Sequence, residues 1–182
     1  MAPPINFTVS QKGFCANMPT EEMFTIPAKL GVNGTIVGSR PMICKAGPVY
    51  DVKLEVKDGQ IQNFEAGQGK ETLENIMNSD PNGRYLGEFA IVSSDTAIFK
   101  TGISFFNNMI DENSGCHMAV GNAYSKCIVG GLQMTTEELE AEGINVCSFH
   151  EDFVFGTDDT RIVGYKQNGE EILIMENGEF KI

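Results

Sequence analysis

At 182 residues the chain has the length of a single domain with a substantial core, and no repeat of fixed period runs through it. Its 13 basic and 25 acidic side chains leave a formal charge of −12, which repels phosphate backbones and anionic lipid. Nucleic acid and membrane are therefore poor partners, divalent cations better ones, and with no long apolar run and no leader-like start at Met1 to Phe7 a soluble cytoplasmic protein is expected.

Five cysteines (Cys15, Cys44, Cys116, Cys127, Cys147) are odd in number and widely spaced, which fits free thiols better than a disulfide framework or a Cys zinc site. Between Pro19 and Pro27 the adjacent carboxylates Glu21 and Glu22 stand among apolar neighbours. They read either as a solvated pair opening a helix after Thr20 or as a carboxylate held in a dry place. Asn33-Gly34 opens a series of turns. Asp51 to Lys57 alternates at period two and meets Asp58-Gly59 before Gln60 to Phe64, a hairpin signature. Leu73, Ile76 and Met77 predict a helix over 70–78, stopping near Asp80-Pro81. In the strand-like run Arg84 to Val92, Glu88 is a lone acid: the last exposed residue before burial, or a ligand on a core strand.

Asp111 to Tyr124 reads as a polar loop leading into a helix capped by Asn113 or Ser114, which would put His117, Gly121 and Tyr124 on one face. The cluster Asp111 to Ser114 lacks the twelve-residue pattern of a calcium loop, and Cys116 beside His117 makes a poor nucleophile pair. Thr135 to Leu139 is a capping-box start with Gly143 as its stop. Cys147 to Gly156 suits a buried strand in which His150 and Asp152, two apart, point the same way and form half a metal site. Two Asn-Gly turns, 168–169 and 177–178, then break the tail into a β-meander. Many short strands and few helices predict one α+β domain over 1–182. Its curled, mostly antiparallel or mixed sheet would carry the ligands at its strand ends.

Only two histidines occur. With Glu22, Glu88 and Asp152 they make a mixed N/O donor set suited to two Zn²⁺, Co²⁺ or Mn²⁺ ions, the composition of a two-metal hydrolase. The segments Asn17 to Thr25, Arg84 to Glu88, Phe106 to Gly121 and His150 to Gly156 resemble the metal-binding part of the thermophilic aminopeptidases, family M29. The resemblance runs through nearly all of the chain. It implies metal ligation by Glu22, Glu88, His117, His150 and Asp152, with Glu21 the lesser choice of the first pair, and a catalytic phenol at Tyr124. It also implies peptide substrates with a free N-terminus, a second domain ahead of this one, and a homodimer enclosing the cavity. The expected mechanism is attack by a metal-generated hydroxide, with Tyr124 stabilising the oxyanion and Glu21 or Glu151 shuttling the proton. The rival expectations are another metal-dependent amidohydrolase and a non-catalytic metal-binding or assembly domain.

Overall fold

The computed structural model describes residues 21–182 and the backbone of 7–9 and 12–14, so Cys15 and the stretch Asn17 to Thr20 lie outside the described residues. In chain order the strands are β1 (Phe7–Val9), β2 (Lys12–Phe14), β3 (Glu22–Thr25), β4 (Gly34–Val37), β5 (Met42–Cys44), β6 (Gly47–Val49), β7 (Lys53–Lys57) and β8 (Gln60–Glu65). Helix α1 (Lys70–Asn78) follows, then β9 (Leu86–Val92), α2 (Ala97–Thr101), α3 (Asn108–Asp111), β10 (His117–Gly121), α4 (Thr136–Ala141) and β11 (His150–Val154). Strands β12 (Ile162–Tyr165), β13 (Glu171–Glu176) and β14 (Glu179–Phe180) complete the α+β fold.

Local signals hold where the chemistry is local. The β7–β8 hairpin turns at Asp58 and Gly59, both in the left-handed region (φ 49° and 78°) that a two-residue hairpin turn requires. Helix α1 spans the predicted residues and buries Leu73 and Met77. At α4 the Thr135 hydroxyl accepts from the Glu138 N–H at 3.3 Å, and the Glu138 carboxylate accepts from the Thr135 N–H at 2.8 Å. The tail is the expected meander, in the order β12-β13-β14.

The sheet that matters for function is antiparallel and four-stranded, in the order β11-β10-β9-β3. Its back face supplies Leu86, Val120 and Phe153 to one core with Leu54 and Ile61 of the β7–β8 hairpin and Leu73 and Met77 of α1. The front face carries the acids and imidazoles. A bulge separates the two sets, because Ala119 pairs with Glu88 whereas Val120 pairs with Leu86, leaving Gly87 as an extra residue. In a regular strand Leu86 and Glu88 would share a face; here the bulge sends one into the core and the other to the front.

Two expectations are corrected. The segment from His117 is not helical: it is the central strand β10, hydrogen-bonded to β9 and β11 on its two edges. A five-residue apolar run has no period that separates buried strand from buried helix, and ladder partners from distant sequence decide it. His117, Ala119 and Gly121 therefore share a face, and Tyr124 follows in the loop beyond. Asn113 and Ser114 cap no helix there; the Asn113 side chain instead accepts from the Glu21 N–H at 3.0 Å and donates to the Met109 carbonyl at 3.2 Å. Likewise no helix starts after Thr20 among the described residues: Glu22 begins β3, pairing with Val92.

Candidate metal centre

Strand alternation chooses between the neighbouring acids. With β3 extended, Glu22 points to the same face as its partner Val92 and hence as Glu88, while Glu21 turns the other way. On β11 the same rule projects His150 and Asp152 forward and Glu151 backward, opposite Val120. Small residues floor the front face: Ala119 lies between Glu88 and Asp152 in register, and Gly121 lies opposite His150. Gly121 is at φ 101°, and a Cβ there would run into the Phe149 carbonyl and ring.

The five side chains converge. His117 Nε2 lies 3.0 Å from a Glu22 oxygen and 3.5 Å from Glu88 Oε1. His150 Nε2 lies 3.2 Å from Asp152 Oδ1 and 3.6 Å from Glu88 Oε2. Glu88 thus turns one oxygen toward each imidazole. Candidate ligand atoms form one group from Glu22, Glu88 and His117 and another from Glu88, His150 and Asp152, each with its members within 4.8 Å of one another. Glu88 and His117 are buried, and His150 keeps 14% of its side-chain surface exposed.

Each ring is oriented from behind. Nδ1 of His117 is 3.1 Å from the Gly115 carbonyl, and Nδ1 of His150 is 2.7 Å from the Asn122 carbonyl. Carbonyls only accept, so Nδ1 carries the proton in each ring and a neutral imidazole aims its Nε2 lone pair at the carboxylates. Lone pairs facing anionic oxygens at these distances demand a cation or a proton between them. The donor set and its geometry fit divalent metal.

Without metal, protons take that place. Burial pushes both imidazoles down, but hydrogen bonds donated to Glu22 and Glu88 hold His117 well above its ordinary value, and the one donated to Asp152, with that carboxylate's charge, carries His150 to about 9. Both folded values exceed the unfolded ones, so this stabilisation is complete below 6.5, and the His150 share is lost as pH rises through about 9. The melting temperature of chelated protein is therefore expected to fall across that interval, and saturating Zn²⁺ or Mn²⁺ to remove the fall. A flat profile in chelated protein would exclude protonated imidazoles.

A pocket opens over the cluster, walled by Phe24, Met109, Tyr124 and Lys126. The Tyr124 ring centroid is 4.5 Å from that of His150, and the Lys126 ammonium lies 4.6 Å from the Tyr124 ring. Burial first, then the charges of Asp152, Glu88, Glu112 and Glu22, raise the phenol to about 12, so it stays protonated. Glu21 and Glu151 are in neither ligand group and do not line this pocket. Burial pushes the Glu151 carboxyl up, on the side of the strand facing Cys44.

One residue escaped the sequence reading. Glu112 places a carboxylate oxygen within 4.8 Å of ligand atoms of both His117 and Asp152 and lines the same pocket. Its only sequence signal was an acid five positions before a histidine. The neighbouring acid is structural: Asp111 accepts from the Phe105 and Asn107 N–H groups at 2.7 and 2.9 Å, closing the loop before α3. Cys116 likewise serves packing, its thiol bonded to the Val92 backbone at 3.4 Å.

Fold and site together define an α+β domain with a preorganised carboxylate–imidazole cluster at the front of an antiparallel sheet. The chain belongs to the thermophilic metalloprotease family M29, whose model matches residues 6–180. It is 38% identical over 173 residues to aminopeptidase 2 of Geobacillus stearothermophilus, covering 94% of this chain and 42% of that protein. Against aminopeptidase AmpS of Bacillus subtilis it is 38% identical over 175 residues, covering 95% and 43%. The solved structure of wild-type AmpT from Thermus thermophilus superposes with a TM-score of 0.87 at 31% identity, over 96% of this chain and 43% of that one. The chain therefore spans under half the length of these relatives. Among the described residues no helix is long and apolar enough to cross a membrane.

Proposed function

We propose that residues 1–182 form the metal-binding catalytic domain of a dinuclear aminopeptidase that removes N-terminal residues from peptides. The observation that carries this reading is Glu88, whose two oxygens address different imidazoles as a bridging carboxylate would. Glu22, Glu88 and His117 would hold one divalent ion, and Glu88, His150 and Asp152 the other, with Zn²⁺, Co²⁺ and Mn²⁺ as the fitting metals. Such ions supply Lewis acidity, which activates water near neutral pH and polarises the scissile carbonyl.

The chain's own residues do the rest. The carbonyls of Gly115 and Asn122 fix the two imidazole tautomers, so the donor atoms need no rearrangement. The protonated Tyr124 phenol, at the pocket wall beside His150, donates a hydrogen bond to the oxygen on which charge develops. Anionic side chains around the pocket favour a peptide end bearing a free ammonium over a blocked one. Exposed Met109 at the pocket wall, with exposed Ile103, Phe105 and Phe106 in the loop before it, suits coverage by a further domain and a second copy of the chain; closure of this kind excludes water and orients substrate.

Elemental analysis of protein purified without chelator should find about two equivalents of these metals. In the full native chain, His150→Ala should remove one ion and abolish turnover of an aminoacyl-anilide. Unchanged turnover would refute the assignment. Hydrolysis of acylated but not free-amino substrates would point to a different amidohydrolase, and metal binding without any hydrolysis to an assembly domain.

A further inference from the structure

The imidazole of His150 is aimed by a carbonyl, and that carbonyl is itself held in place. His150 Nδ1 lies 2.7 Å from the Asn122 carbonyl, in the segment that leaves β10 after Gly121. We propose that Asn145, in the loop between α4 and β11, is the positioning residue for this metal ligand; the assignment rests on the two-ion reading above. Asn145 is fully buried and holds the segment at two points. Its side-chain Nδ2 donates to the Gly121 carbonyl at 2.6 Å and to the Asn82 carbonyl, ahead of β9, at 3.0 Å. Both partners only accept, so the N–H₂ end of the amide must face them. The Asn145 backbone carbonyl in turn accepts from the Ala123 N–H at 2.8 Å.

These contacts fall on consecutive peptide groups. The first group joins Gly121 to Asn122: its carbonyl accepts from Asn145, and its N–H donates to the Phe149 carbonyl at 2.6 Å. The second joins Asn122 to Ala123: its N–H donates to Asn145, and its carbonyl accepts from His150. The carbonyl behind His150 is thus oriented from the far end of its own peptide plane, and a bond at one end of an amide polarises and strengthens the bond at the other. The Asn122 side chain ties the same segment to the Cys147 N–H at 3.1 Å. The Gly115 carbonyl behind His117 lies at the opposite end of β10, away from this network, so losing the Asn145 amide disturbs one imidazole and spares the other.

The test measures Zn²⁺ affinity in the full native chain, by competition with a chromophoric chelator, with each ion isolated in turn. Glu22→Gln should leave the ion held by Glu88, His150 and Asp152, and His150→Ala the ion held by Glu22, Glu88 and His117. Adding Asn145→Leu, which keeps the side-chain volume and removes the donor, should weaken binding by ~10- to 100-fold in the first background and by less than about threefold in the second. Asn145→Ala repeats the comparison if Asn145→Leu does not fold. Turnover of an aminoacyl-anilide by the single Asn145 variant should fall at limiting Zn²⁺ and recover at saturating Zn²⁺. Equal losses in both backgrounds, as a merely structural role would give, or unchanged affinity in the first, overturn the proposal. Failure of both Asn145 variants to fold overturns it as well. A wild-type chain that binds fewer than two ions instead refutes the two-ion reading and takes this assignment with it.

Discussion

On the proposed two-metal reading, replacing Glu88 with glutamine is expected to remove both ions and to lower activity by at least ~10³-fold. Glutamine keeps the shape of the side chain but has one oxygen and one N–H₂ group. Placed where Glu88 lies 3.5 and 3.6 Å from the two imidazoles, its amide would donate to one Nε2 lone pair. One half of the cluster then loses its anionic bridge and the other loses charge. Glu22→Gln touches one ligand group and should leave about one equivalent of metal, whereas Asp152→Asn touches two, one with Glu88 and His150 and one with Glu112 and His117, and should leave about one equivalent at most. In metal-free protein each change takes a carboxylate partner from a buried imidazolium and should cost up to about 3–5 kcal/mol, so the variants are compared well below their melting temperatures. Metal content by elemental analysis, with circular dichroism as the folding check, separates the outcomes. Two bound equivalents in Glu88→Gln would mean that Glu88 is not the shared ligand.

The second large effect is expected from a residue with no chemistry of its own. Gly87→Ala should destabilise the fold by about 3 kcal/mol or more, a fall in melting temperature of roughly 6–12 °C for a domain of this size. A Cβ at Gly87 would run into the carbonyl groups of Gly121 and Asn122, which are backbone and cannot swing aside. Relief requires the bulge to shift, and the bulge separates the core-facing Leu86 from the forward-facing Glu88. Metal affinity should therefore fall together with stability. Gly102→Ala is the control: at φ 67° but in open space, it should cost only about 1 kcal/mol of backbone strain and leave metal binding alone. Equal melting temperatures for the two variants would remove the bulge from the account.

The candidate donor residues were legible in the sequence because their chemistry is rare there. Two histidines in the whole chain, each in an apolar setting, leave few ways to build a nitrogen-containing site. His150 and Asp152 could be placed on one face from spacing alone, and in the fold Nε2 and Oδ1 lie 3.2 Å apart. The choice between Glu21 and Glu22 could not be made from spacing. It follows from β3 pairing with β9, a contact between residues some seventy positions apart, and the local signals around Thr20 suit a helix equally well. Glu112 was hidden for a similar reason: it sits in a short turn whose polar composition suggested only a loop, and its proximity to Asp152 arises from the folding of β11 beside β10.

By itself the sequence determined the short-range structure: the β7–β8 turn at Asp58-Gly59, helix α1, the capping box of α4 and the Asn-Gly meander. Each of these is decided by torsional preference and hydrogen bonds within a few residues. It also determined which side chains were available to meet a metal. Only the tertiary structure decided that the segment from His117 is a strand, that Gly87 inserts a bulge, and that Glu88 faces both imidazoles. Those features depend on ladder partners distant in sequence, and a one-residue change of register moves a side chain to the opposite face of the sheet.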